Sequence, residues 1–214
     1  IDPSQITKKI DRKKIKVIRD FFPPRKNNLR NINVKFDLIT SIAMFYDLDN
    51  PNLFVKNINN YLKRDGVWVF ELSYLIDMLK SNSFDTICHE HLEYYSLSSL
   101  NYLMKNNELK KFKVKKNKIN GGSIRCFVTH DKKNIVYLNR LLKNEKKLKV
   151  KSIKIYKNYF LNILKIKIKL KKIIENIKDK KKKIYVLGAS TKGNTILQYL
   201  DIDNKIIPFA TERN

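Results

Sequence analysis

The sequence predicts an α/β fold: a Rossmann-like, doubly wound sheet followed by the start of a second Rossmann-like unit. Three observations carry that expectation. Short β-rich runs alternate with helical stretches up to about Tyr74, the order that builds a parallel sheet with covering helices. Two further β-rich runs then follow in close succession, as in an antiparallel pair at the end of such a sheet. After a lysine-rich stretch without glycine or proline, a strand, a glycine-containing loop and a helix return. The expected units are therefore 1–130, a helical connector over 131–183, and the beginning of a further domain over 184–214.

Taken in order, Ile15-Lys16-Val17-Ile18 reads as a strand, stopped by Asp20-Phe21-Phe22-Pro23-Pro24. Phe36-Asp37-Leu38-Ile39-Thr40 is a second strand. Asn50-Pro51 opens a helix to about Lys63, with proline in its first turn and an apolar stripe of Leu53, Val55, Ile58 and Leu62. Asp65-Gly66 reads as a turn and Val67-Trp68-Val69-Phe70 as a third strand of the same sheet. Residues 96–105 form a helix capped by Ser96. Residues 110–114 and 123–128 are the two antiparallel strands. The lysine-rich stretch 132–183 reads as a solvated helical connector. Ile184-Tyr185-Val186-Leu187 is a strand, residues 191–200 a helix, and Ile206-Ile207 the start of another strand.

Composition narrows the function. An apolar fraction of 43% in 214 residues is enough for a core. There is no run of 18 apolar residues and no secretory signal pattern, so neither a membrane partner nor export is expected. Cys88 and Cys126 make no disulfide framework, which fits a reducing cytoplasm. The net charge of +26 invites a nucleic-acid partner. The excess is lysine accompanied by isoleucine and asparagine, with sparse arginine and no nucleic-acid-binding motif, so no nucleic-acid partner is expected.

Doubly wound sheets bind ligands at the carboxyl ends of their strands. Asp2, in Ile1-Asp2-Pro3-Ser4, sits one helix ahead of the Ile15 strand and is placed to accept hydrogen bonds from ribose hydroxyls; an Asx-type cap on the next helix fits it equally well. Asp20, Phe21 and Ser41 stand just past expected strand ends and join Asp2 as candidate cofactor contacts.

Longer motifs decide the matter. Gly66-Val67-Trp68-Val69-Phe70-Glu71-Leu72-Ser73-Tyr74 is followed by Phe84-Asp85-Thr86-Ile87-Cys88-His89-Glu90-His91-Leu92-Glu93-Tyr94-Tyr95-Ser96-Leu97. Asn120-Gly121-Gly122-Ser123-Ile124-Arg125 and Gly188-Ala189-Ser190-Thr191-Lys192-Gly193-Asn194-Thr195 come next. In this order the segments resemble a family of S-adenosylmethionine-dependent sugar C-methyltransferases acting on nucleotide-linked deoxysugars. The resemblance covers nearly the whole chain. It implies a class I methyltransferase core whose first strand and Gly-rich loop lie ahead of Ile1. It also implies a preceding zinc-binding domain, and a C-terminal Rossmann-like domain, cut short here, that helps hold the sugar nucleotide.

What the resemblance implies about chemistry is concrete. A C-methyltransferase must make a carbon nucleophilic. Beside a carbonyl this means removing a proton to give an enolate, which needs a base of near-neutral pKa and a rigid hold on both reactants. By resemblance His91 is the base, Glu90 positions the substrate or polarises the site, and His89 is a supporting residue on the substrate side. Without the resemblance, His89 and His91 read as satisfied polar residues beside a helix cap. A metal site from Cys88, His89 and His91 lacks the paired spacing of common zinc sites, so no metal is expected. Tyr94, Asn120, Ser123, Ser190, Thr191, Lys192 and Asn194 are the further candidate substrate contacts. The last four lie where a strand-to-helix loop presents N–H groups and an ammonium to phosphate, although an ordinary Ser/Thr-capped turn has the same spacing.

Two departures matter. The family often carries Tyr immediately before His-Glu-His, where this chain has Cys88, which makes Cys88 a candidate in the catalytic group. It often carries His in the loop after the Phe36 strand, where this chain has Phe45-Tyr46-Asp47-Leu48-Asp49, with Asp47 at the corresponding place. Tyr46, Tyr94 and Tyr95 are all open as sources of the missing phenol. The alternatives are a methyltransferase with another acceptor, or one methylating oxygen, and an inactive relative that only binds sugar nucleotides. Which sugar, which carbon and what oligomeric state are not readable from the sequence.

Overall fold

The computed structural model describes residues 1–10, 14–24, 34–131, 136–188 and 190–211. Its centre is a mixed sheet of β1 (Phe36–Ile42), β2 (Leu62–Ser73), β3 (Lys110–Asn117) and β4 (Ser123–Thr129), in the order β1-β2-β4-β3. β1 and β2 are parallel, while β4 runs antiparallel to both β2 and β3, as the sequence predicts. The crossover from β1 to β2 is α1 (Pro51–Tyr61). Asn50 caps it by accepting from the Leu53 N–H at 2.9 Å, and Phe54, Val55 and Ile58 form its buried face. Alternation along β2 and β4 puts Trp68, Phe70, Leu72, Ile124, Cys126 and Val128 into one core, together with Phe45 and the inner face of α3 (Leu97–Asn106).

The expected Asp65-Gly66 turn is instead an irregularity inside the long β2. The β1–β2 register slips between Phe36 and Leu38 to absorb it. A Cβ at Gly66 would lie 2.8 Å from the Phe36 carbonyl oxygen, so only glycine lets the strands close there. Between β2 and α3 lies a short helix, α2 (Leu75–Ser81), to which the sequence reading assigned no element.

Three further expectations are corrected. Residues 15–18, a bend at Ile15 and then no regular structure, belong to no ladder among the described residues; a strand exists through its pairing, and what ties this segment is the Asp2 N–H donating to the Ile18 carbonyl at 3.1 Å. Ile206 and Ile207 lie in a turn. The strand of that region is β6 (Ala210–Thr211), parallel to β5 (Val186–Leu187), with α6 (Thr191–Tyr199) between them. The lysine-rich stretch, whose residues 132–135 lie outside the described residues, is helical as expected but more than a solvated connector. It consists of α4 (Val136–Lys147) and α5 (Ile153–Asp179), broken where Lys149 takes a left-handed φ of 53°. Leu138, Leu141 and Glu145 of α4 are buried. Tyr159 and Ile163 of α5 pack with Leu79 and Phe84, joined by Ile196 and Tyr199 of α6. α6 is thereby seated against a second, smaller cluster formed with α2, Phe84 and α5.

Glu145 is fully buried. Its carboxylate accepts from the Tyr74 hydroxyl at 2.8 Å, from the Leu97 and Ser98 N–H groups at 2.6 and 2.9 Å, and from the Ser98 hydroxyl. It sits at the amino end of α3, where the partial positive charge of the helix favours an anion. Burial and the adjacent carboxylate push the Tyr74 phenol far above its ordinary range. Among the described residues, no helix is long and apolar enough to cross a membrane.

Glu145→Ala is expected to lower the unfolding free energy by about 3 kcal/mol, since buried donors left without an acceptor cost about 1–3 kcal/mol each. Glu175→Ala, on the exposed side of α5, should change it by less than about 0.5 kcal/mol. Urea unfolding followed by circular dichroism checks both values.

Candidate active site

The loop after β1 forms a 3-10 turn, Phe45–Asp47, whose first residue is wholly buried against Trp68, Phe70 and Tyr95. That anchor fixes the next residue, Tyr46. The Tyr46 carbonyl accepts from the Leu92 and Glu93 N–H groups at 3.0 and 3.1 Å, clamping the His-Glu-His segment beside the carboxyl end of the parallel strand pair. The segment is further shaped by the His91 N–H donating to the Cys88 carbonyl at 3.2 Å.

The His91 ring is oriented by main chain. Its Nδ1 lies 2.8 Å from the Thr86 carbonyl oxygen. A carbonyl only accepts, so in the neutral ring Nδ1 carries the hydrogen and Nε2 carries the lone pair. The Tyr94 hydroxyl donates to the same carbonyl at 3.2 Å. The Tyr46 ring packs on the imidazole with centroids 4.4 Å apart. Cys88 Sγ lies 4.0 Å from Glu90 Oε2.

These residues form one wall of a cleft of about 150 Å³. Tyr46 comes from the β1 loop, Ser73 from the end of β2, and Asp85, Thr86, Cys88, Glu90 and His91 from the loop between α2 and α3. Thr191 and Lys192, from the first turn of α6, form the facing wall. Lys192 Nζ is 3.9 Å from Asp85 Oδ2 across it. Burial raises the Tyr46 phenol above its ordinary pKa, with Asp47 and Cys88 adding to the effect. Burial likewise raises the Asp47 carboxyl, against the opposing pull of His91.

Of the sequence candidates, the fold brings His91, Glu90, Cys88, Thr191 and Lys192 to this cleft. Tyr94 supports it from behind through Thr86. His89 and Asn194 are exposed and off its wall. Ser190 accepts from the Gly193 N–H at 3.3 Å as the cap of α6, and the neighbouring Ala189 lies outside the described residues. Ser123 is buried and donates to the Ile119 carbonyl at 2.8 Å. Asn120 belongs to the Ile119–Gly121 turn, and its side chain lies outside the described part. The cofactor candidates lie elsewhere than the cleft. Asp2 is exposed, and its Oδ1 accepts from the Ser4 N–H at 2.7 Å, the Asx-type geometry. Hydrogen bonding to Ser4 holds the Asp2 carboxyl below the usual carboxylate range. Asp20 Oδ1 accepts from the Phe21 N–H at 2.8 Å, and the Phe21 ring is exposed. Ser41 is buried, its hydroxyl oxygen accepting from the Trp68 indole at 3.1 Å.

Sequence reasoning gave no role to Ser73, Asp85 or Thr86. Asp85 and Thr86 stood inside a quoted motif, but a carbonyl that sets a tautomer leaves no mark on residue type. Among the described residues, no group of three His, Cys, Asp or Glu side chains is placed to hold a metal ion.

Residues 1–114 match the family described as a methyltransferase domain, and residues 118–214 match the C-methyltransferase C-terminal domain. The chain is 26% identical over 163 residues to the C-methyltransferase NovU of Streptomyces niveus, an alignment covering 74% of this chain and 38% of that protein. Among solved structures, an S-adenosylmethionine-dependent methyltransferase from Clostridium acetobutylicum ATCC 824 superposes on 46% of this chain and 60% of its own, at 17% identity and a TM-score of 0.36. Magnesium protoporphyrin IX methyltransferase (ChlM) from Synechocystis PCC 6803 superposes on 49% of each chain, at 7% identity and a TM-score of 0.37.

The tautomer is open to direct measurement. Nitrogen-15 spectra of the neutral protein should show His91 Nδ1 as the protonated, pyrrole-like nitrogen and Nε2 as the pyridine-like one. The opposite pattern would mean that His91 does not donate to Thr86.

Proposed function

We propose, because this chain belongs to the methyltransferase-domain family and continues into a C-methyltransferase C-terminal domain, that the whole protein is an S-adenosylmethionine-dependent C-methyltransferase. Its acceptor is a nucleotide-linked keto sugar, methylated on the carbon beside the carbonyl. The observation that carries the reading is the shared cleft. The loop with His91 and the first turn of α6 with Thr191 and Lys192 are about 100 residues apart in sequence, yet they line one cavity. A base therefore faces a helix start suited to phosphate.

S-adenosylmethionine, when bound, supplies an electrophilic methyl group. The residues that would hold it are Asp2, Asp20 and Phe21; Ser41, buried against the Trp68 indole, is not among them. Their chemistry fits a nucleoside: an exposed, ionised carboxylate at Asp2 can accept from ribose hydroxyls, and an exposed ring at Phe21 can cover a base. His91 Nε2 takes the proton from the acceptor carbon. The C–H electron pair becomes the carbon–carbon π bond of an enolate, and the carbonyl π pair moves onto oxygen. The imidazolium left behind keeps its Nδ1–H on Thr86 and returns the new proton from Nε2 to solvent. Glu90, on the same wall, holds a sugar hydroxyl. Lys192 exchanges Asp85 for a phosphate oxygen, assisted by the N–H groups of the α6 first turn. Neither Cys88 nor Cys126 is in a disulfide, which suits the reducing cytoplasm that this reading takes as the protein's compartment.

In the full-length protein, His91→Asn should lower turnover by about two to four orders of magnitude, the usual worth of a positioned general base. Exchange of the acceptor's α-proton with solvent should slow in parallel, while cofactor affinity stays near wild type. His89→Asn should cost less. Near-normal turnover in His91→Asn would remove His91 from the base role. Lys192→Ala should raise the KM for the acceptor more than that for S-adenosylmethionine; equal effects would point to general damage.

A further inference from the structure

We propose that Tyr46 is the hydroxyl donor to the acceptor's carbonyl oxygen, working opposite His91 as the second catalytic residue of the cleft. The inference rests on the reading of the cleft as an enolising site. Proton removal by His91 needs a hydrogen-bond donor where negative charge develops on oxygen, and three phenols lie near enough to be considered.

Geometry separates them. Tyr95 is buried in the aromatic core against Phe45, with its hydroxyl enclosed and unpartnered among the described residues. It has no route to the cleft. Tyr94 already donates to the Thr86 carbonyl and lies behind the wall. Tyr46 forms part of the wall itself, with its ring against the imidazole at 4.4 Å between centroids. Its main chain is fixed on both sides, by the buried Phe45 ring and by the Leu92 and Glu93 N–H groups on its carbonyl. Cys88, also on the wall, offers a thiol, a much weaker donor than a phenol.

The two rings then have opposite functions. Burial raises the Tyr46 phenol, so it stays protonated at neutral pH and acts as a donor. His91, with Nδ1–H tied to Thr86, presents a lone pair. In the enolisation step the carbon-bound proton goes to His91 Nε2, and the oxygen accepts a hydrogen bond from Tyr46 O–H. The Tyr46 proton stays on its own oxygen throughout, so no further co-reactant is needed.

Tyr46→Phe keeps the ring contact and removes only the hydroxyl. In the full-length protein, with a nucleoside-diphosphate-linked keto-deoxyhexose as acceptor, turnover should fall about 10²- to 10³-fold, the cost of one oxyanion donor. Solvent exchange of the α-proton in deuterium oxide should slow with it. The KM values, S-adenosylhomocysteine affinity and melting temperature should stay near wild type. Tyr94→Phe should lose less turnover. Wild-type turnover in Tyr46→Phe beside a dead His91→Asn would overturn the role of Tyr46 and leave the proposed function standing. Normal turnover in both variants would overturn the enolising reading itself. Loss of turnover together with a lowered melting temperature or weakened cofactor binding would make Tyr46 structural and also reject the inference.

Discussion

The buried carboxylate of Glu145 is the constraint on which the rest of the structure depends. It reaches from α4 into the seam between the end of β2 and the start of α3, and its donors come from both sides: Tyr74 closes β2, and Leu97 and Ser98 open α3. No cation pairs with it among the described residues. Its charge is balanced by N–H and O–H groups and by the amino end of a helix, an arrangement that satisfies both oxygens. Because Tyr74 leads into α2 and Ser96 caps α3, both ends of the segment carrying His-Glu-His are held by one side chain. The middle of that segment is held by the Tyr46 carbonyl. The loop that carries His91 is therefore tied down at both ends and in its middle.

The same logic explains why the lysine-rich helices matter to a site they do not line. α4 supplies Glu145, and α5 supplies Tyr159, whose hydroxyl donates to the Ser83 carbonyl at 2.8 Å just ahead of the His-Glu-His segment. Phe84 then packs on Tyr199 of α6, with ring centroids 4.9 Å apart. Through these contacts the first turn of α6 is brought opposite His91. Lys167 of α5 adds to this contact, its ammonium 4.8 Å from the centre of the Tyr199 ring, and lysines also mark β3, an edge strand of the sheet. Charge there discourages pairing with another chain.

Much of this was legible in the sequence because it is local. The Asn50-Pro51 start of α1, the Ser96 cap of α3, the alternation in β2 and β4 and the Ser190 cap of α6 each depend on a few neighbouring residues. What failed depends on partners far along the chain. The Val-Ile run at 15–18 has strand composition, but composition does not supply a neighbouring strand. Glu145 sits among Asn144, Lys146 and Lys147 and reads as one more solvated charge; only the fold shows four donors converging on it. Ser41 stands at a strand end, as a ligand contact would, but its hydroxyl faces the Trp68 indole inside the sheet. The motif identified His91, yet its tautomer rests on the Thr86 carbonyl, which any residue at that position would provide. Likewise, the choice among Tyr46, Tyr94 and Tyr95 turns on which ring faces the cleft.

Electrostatics bear on whether the cleft suits the anionic acceptor proposed for it. Lys192 and Asp85 face each other across it at 3.9 Å, both partly exposed. A pair of that length in contact with water contributes about 0–1 kcal/mol, little enough for a phosphate to displace Asp85. Without a ligand, Asp85 offsets the lysine's charge. On the function proposed above, a bound phosphate would take over that offset. The His91 ring itself is held by fixed groups, the Thr86 carbonyl on Nδ1 and the Tyr46 ring against it.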